Sequence, residues 1–153
     1  MRPSATLLAL LTVALASGAL ASGARAQTPG DLVLAATVDP DDLVETPGGR
    51  VSINYAITNN SSTSWRNLTI GFYLSTDATF DLDGDTFLES ETQNVRAGER
   101  EPEFEQISLP DQVASGEYFL LVVLDPRNFV TETNKANNVV ATPITIGGDD
   151  PVT

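Results

Sequence analysis

The sequence predicts an all-β fold, a sandwich of seven strands in two sheets, behind an N-terminal signal peptide. Three observations carry the sandwich. Short apolar–polar alternations recur between turn residues roughly every ten positions. No window long enough for a helix carries good helical periodicity. Residues 118–124 are apolar on both faces, as a central strand covered on both sides is.

Residues 31–38 read as the first strand, ended by Asp39-Pro40-Asp41-Asp42. Thr46-Pro47-Gly48-Gly49 is a turn. Residues 50–58 then alternate cleanly. Val51, Ile53, Tyr55 and Ile57 face one way, and Ser52, Asn54, Ala56 and Thr58 the other, the pattern of a half-buried strand. Residues 59–64 are polar, and Trp65, beside Arg66, stands with them in the loop after this strand. An exposed Trp65 would anchor a partner or stack on a sugar. Tryptophan is highly buried on average, so a lid over the open end of the sandwich is preferred. Leu68, Ile70, Phe72 and Leu74 line one face of the next strand, with Thr69, Gly71, Tyr73 and Ser75 opposite.

Residues 86–91 form a brief acidic strand suited to a sheet edge. Glu99, Glu101, Glu103 and Glu105 surround Pro102 and Phe104 in the strand after it, which leads to Leu109. Residues 116–125 are the central strand. It opens on Gly116-Glu117-Tyr118, which reads as a tyrosine corner, a Tyr bonded back to the preceding crossover. Asn137-Asn138 turns the chain into the last strand, residues 139–146. No internal repeat is present, so the pattern is one domain.

Residues 1–26 read as a secretory signal. Arg2 is the basic lead, residues 5–16 are the apolar stretch, and Ala24-Arg25-Ala26 is the cleavage motif. Residues 27–30 are a polar lead segment, 31–147 the sandwich, and 148–153 a flexible tail. The expected location is secreted or periplasmic. The chain has no cysteine, which removes disulfides and thiolate chemistry. It carries 8 basic and 21 acidic residues; without Arg2 and Arg25 the mature balance is 6 minus 21, or −15. Nucleic acid and anionic membranes would repel such a chain. No second apolar run of spanning length follows, so no membrane insertion is expected.

Asp31-Leu32-Val33, Pro47-Gly48-Gly49-Arg50-Val51 and Tyr55-Ala56-Ile57-Thr58-Asn59-Asn60 come first in a longer series. Phe72-Tyr73-Leu74-Ser75-Thr76-Asp77, Gly116-Glu117-Tyr118, Asp125-Pro126-Arg127-Asn128-Phe129-Val130 and Glu132-Thr133-Asn134-Lys135-Ala136-Asn137-Asn138-Val139 follow. In order and spacing this series resembles the bacterial cell-adhesion-related domain family, CARDB. The resemblance implies an immunoglobulin-like, fibronectin type III-like sandwich, found in exported proteins as an accessory module.

Two polar constellations stand out. Asp77, Asp81, Asp83 and Asp85 surround Gly84 in one loop, and Glu89 follows four residues after Asp85. Carboxylates at this spacing suit calcium, which takes six to eight oxygens. The alternative is a hairpin loop whose aspartates cap turns in solvent. The second set is Asp125, Asn128, Glu132, Asn134, Asn137 and Asn138. It is a ligand or metal rim, or a set of turn formers with Asn138 at positive φ or in an Asx turn; the turn reading is preferred. Asn59, Asn60 and Asn67 begin glycosylation sequons, read as chance matches.

Catalysis is not expected. Histidine and cysteine are absent, and Lys135 is the only lysine. The first functional expectation is a non-enzymatic module that binds a protein or glycan through an edge strand or loop end. The alternatives are a calcium-stabilised spacer without its own ligand, and an acidic partner or inhibitor of a basic exported protein.

Overall fold

Alternation of apolar and polar residues becomes strand structure along most of the chain. The computed structural model describes residues 30–147. The predicted signal peptide and tail, and all but the last residue of the lead segment, lie outside them. Eight strands form: β1 (Leu32–Val38), β2 (Val44–Glu45), β3 (Arg50–Asn59), β4 (Trp65–Ser75), β5 (Thr86–Val95), β6 (Arg100–Ser108), β7 (Gly116–Leu124) and β8 (Val139–Ile146). One sheet has the order β1-β3-β6, the other β2-β8-β7-β4-β5.

Seven of these strands are the predicted ones. The eighth, β2, has two residues, too short for alternation to register in sequence. It exists because Leu43 and Glu45 carbonyls accept from Thr145 and Gly147 N–H, parallel to β8. A short 3-10 turn, Pro40–Asp42, precedes it, with the Asp39 carboxylate accepting from Asp41 N–H. The acidic strand β5 does lie at an edge, as predicted, but runs four residues further, to Val95. Trp65 also differs from expectation: it opens β4 opposite Val95 and is not in the loop. It packs, partly buried, against the core. The tyrosine corner is present, with the Tyr118 hydroxyl donating to Ala114 O at 3.0 Å.

The core lies between the sheets. Val51, Ile53, Tyr55 and Ile57 of β3 meet Leu68, Ile70, Phe72 and Leu74 of β4 and Leu120, Val122 and Leu124 of β7. Each fully buried aliphatic or Phe side chain contributes roughly 1.5–3 kcal/mol. Asn59 is buried at the end of β3. Its amide donates to Thr63, Val95 and Arg96 carbonyls, so it clamps loops and is not displayed as a glycan acceptor. The described residues contain no helix long and apolar enough to cross a membrane.

Candidate functional site: an aromatic groove beside an acidic edge

The five-stranded sheet is apolar on its outer face as well. Tyr73, Leu121 and Val123 are buried there, with Phe80, Phe119, Val139 and Ala141 packed around them. This is the double-sided apolar signal of residues 118–124, now with its cover identified. The Tyr73 ring lies across Gly71: a Cβ at position 71 would meet Tyr73 Cε2 at 2.5 Å, so only glycine leaves the ring flat on its own strand.

The loop after β4 folds back over this face. Ser75 Oγ accepts from Asp77 N–H at 3.2 Å, and Asp77 Oδ1 from Thr79 N–H at 2.7 Å. Asp81 Oδ1 accepts from Asp83 N–H at 3.1 Å, and Asp85 Oδ2 from Asp81 N–H at 2.7 Å. These turns carry Phe80 onto Tyr73, with ring centroids 4.8 Å apart. A β-bulge between Phe72 and Tyr73 shifts the pairing so that Phe87 lies opposite Tyr73 and Glu89 opposite Phe72. Leu88 packs on the core, and Phe87 stands edge-on to Tyr73 at 5.6 Å. Burial, with the charge of Asp85, pushes the Tyr73 phenol up against an opposing pull from Arg127. The result is a groove of about 530 Å³ lined by Tyr73, Leu82, Asp83, Phe87, Pro126 and Arg127. Phe87 and Leu82 are 57% and 45% exposed, which leaves apolar surface free at its mouth.

Thus in the aspartate loop the carboxylates of Asp77, Asp81 and Asp85 cap turns, while Asp83 gives its N–H to Asp81 and stands on the groove wall. Glu89 stands apart on β5, where its charge acts on Glu105 of β6. Among the described residues no three His, Cys, Asp or Glu side chains form a group able to hold a metal ion.

Next to the groove, the free edges of both sheets are acidic. Along β5 and β6 stand Glu89, Glu91, Glu101, Glu103 and Glu105, against one cation, Arg100. Tyr55 OH donates to Glu91 Oε2 at 3.4 Å and accepts from Gln93 Nε2 at 3.3 Å. Burial, then a hydrogen bond with Glu91 and the charges of Glu91 and Glu89, push the Glu105 carboxyl up to about 7.

The second polar set is structural in large part. Asp125, at φ 50°, accepts from Phe129 N–H at 2.9 Å and Val130 N–H at 2.8 Å. Glu132 Oε2 accepts from Leu32 N–H, one hundred residues away, at 3.0 Å. The positive φ expected at Asn138 falls instead on Asp125 and Asn128; Asn138 is buried and donates to Glu132. The groove was missed in sequence because its walls come from β4, β5 and two loops.

The CARDB family model matches residues 31–142. The crystal structure of a CARDB domain from Pyrococcus furiosus, in complex with di-metal ions, is similar at 16% identity and a TM-score of 0.58. The match covers 78% of this chain and 90% of that one. The solution structure of the same archaeal domain matches at 18% identity and 0.58, covering 78% and 96%. A mutant β-glucosidase from Listeria innocua, in complex with laminaribiose, matches at 15% identity and 0.53. That match takes in 78% of this chain but 16% of the enzyme, so it is a likeness of fold to one part of a large protein. No protein of curated function matches this chain.

Proposed function

Because this chain belongs to the CARDB family, we propose that it is an exported, non-catalytic interaction module that docks a basic, extended segment of a partner protein. The partner segment lies along the free edge of β5 with an apolar side chain in the Tyr73–Phe87 groove. The observation that carries this reading is the juxtaposition of the groove with the acidic edge. A strand at a sheet edge offers unpaired N–H and C=O groups to an incoming strand, and side-chain pockets beside it supply selectivity. Residues 77–105 hold ten acidic side chains and two arginines, Arg96 and Arg100, so the incoming segment is favoured if basic. The absence of His and Cys supports a binding role.

A fluorescent library of lysine-rich nonapeptides with alternating apolar residues tests it, read by anisotropy against the purified protein. Binding should weaken as salt rises, because exposed charges are screened. Phe87→Ala should cost on the order of tenfold in affinity, as loss of an aromatic anchor does. Binding of laminarin oligosaccharides with no binding of any peptide would replace the protein partner with a glycan.

A further inference from the structure

The start of β1 and the loop 125–138 meet at one end of the sandwich in a polar junction outside the groove. Leu32 N–H donates to Glu132 Oε2 at 3.0 Å and Leu34 N–H to Asn137 O at 3.1 Å. Thr133 N–H donates to Gly30 O at 3.3 Å, and Asn137 Nδ2 to Asp31 Oδ2 at 3.0 Å. Three buried oxygens here have no donor: Asp31 Oδ1, Asn137 Oδ1 and Asn138 Oδ1. Asn138 is only 4% exposed.

These oxygens are left over by the bonding pattern. Each amide already gives its NH2 group to a carboxylate, Asn137 to Asp31 and Asn138 to Glu132. Turning either amide around would set its oxygen against a carboxylate oxygen. All three orphans are acceptors, so what satisfies them must be a donor or a cation.

Charge separates those two. Asp31, Asp125 and Glu132 bring three negative charges to the junction. Lys135 brings one positive charge, 3.5 Å from both Asp125 Oδ2 and Glu132 Oε1. Two negative charges remain, although the Asp125 and Glu132 side chains are 5% and 1% exposed. Buried charge without a counter-charge is costly. A water molecule can donate to such oxygens but brings no charge. A divalent cation satisfies the oxygens and supplies the charge.

We propose that this junction binds one hard divalent cation, calcium in preference to magnesium, through Asp31 Oδ1, Asn137 Oδ1 and Asn138 Oδ1 beside Glu132. The donor set is all oxygen, with neutral amides mixed among carboxylates, which suits a hard ion and calcium's tolerant geometry. Magnesium demands near-ideal octahedral coordination and gives up its water reluctantly. The site is separate from the Asp77–Asp85 loop, and it shares with the partner groove only the 125–138 loop, which gives Pro126 and Arg127 to the groove wall.

Calcium titration of the chelator-stripped protein tests it, by calorimetry, thermal melting and amide NMR shifts. Calcium should bind with one-to-one stoichiometry, raise Tm reversibly, and shift the amides of Leu32, Leu34 and Thr133. Asp31→Asn keeps the shape and removes one charge, and should weaken calcium binding by on the order of tenfold or more. Asp81→Asn should leave binding unchanged. Absence of calcium-dependent heat and of a melting shift overturns the proposal and leaves a buried water at the junction. Binding that survives Asp31→Asn but is lost in Asp81→Asn, with shifts confined to Asp81, Asp83 and Asp85, overturns it in favour of the acidic loop.

Discussion

The loop 76–85 is rich in Asp and the loop 125–138 in Asn, with Asp125 and Glu132 as its acids, yet they do opposite work. In the first, every carboxylate bond is local. Asp77 caps Thr79, Asp81 caps Asp83, and Asp85 reaches back to Asp81, all within four residues and exposed to solvent. In the second, Glu132 reaches Leu32 across one hundred residues and Asn137 reaches Asp31 across 106, and both bonds are partly buried. The first loop uses its acids to shape itself and thereby set Phe80 on Tyr73 and Asp83 at the groove. The second uses them to fasten one end of the chain to the other. Density of carboxylates in sequence therefore says little about their energetic weight. What matters is whether their donors are neighbours along the chain or neighbours in space.

The largest expected effect follows from that contrast. Glu132→Ala removes the acceptor for Leu32 N–H and Asn138 Nδ2 and leaves Lys135 with Asp125 as its remaining carboxylate. Leaving those two buried donors without an acceptor costs about 1–3 kcal/mol each. Urea denaturation should show a loss of that size; a loss under about 1 kcal/mol would erase the distinction between the two loops.

Strand alternation was legible wherever one face of a strand is wet. Arg50–Asn59 shows it directly, and both the edge position of β5 and the corner at Tyr118 followed from local residues. What could not be read depends on contacts distant in sequence. Strand β2 has no pattern of its own and is made by β8. Trp65 sits among polar residues, and its place in β4 is set by Val95 across the ladder. The aspartate cluster is visible in the sequence because its members are close along the chain. The junction residues Leu32 and Glu132 are a hundred positions apart, and only the fold brings them together.

A smaller effect sharpens the same comparison from the other loop. Asp81→Asn keeps an oxygen for Asp83 N–H and changes the charge of an exposed turn. The stability change should stay within about 0.5 kcal/mol, the range of surface substitutions. Calorimetric unfolding of this variant beside Glu132→Ala places both loops on one scale. A loss above about 2 kcal/mol would mean that the turn bonds of loop 76–85 hold more than the loop itself.

Carboxylates facing carboxylates are the third case, and their effect shows in pH dependence. Glu105 and Glu91 approach each other between β6 and β5, with Glu89 nearby and Tyr55 on Glu91. Burial and these like charges raise the Glu105 carboxyl from an ordinary 4.5 to about 7, against a weaker opposing bond from Gln106 N–H. A carboxyl raised on folding binds its proton more tightly in the native state than in the unfolded chain. Its stabilising contribution is therefore complete below about 4.5 and is lost as pH rises through about 7. Glu105→Gln fixes the uncharged form and keeps a donor for Glu91. The difference in Tm between variant and wild type should be small at pH 4 and grow in the variant's favour up to pH 8. Because Glu105 is partly open to solvent, added salt should shrink that difference, as it would not for the buried Glu132 network. A difference that is flat across this range would show that Glu105 moves away from Glu91 in solution and titrates as an ordinary surface acid.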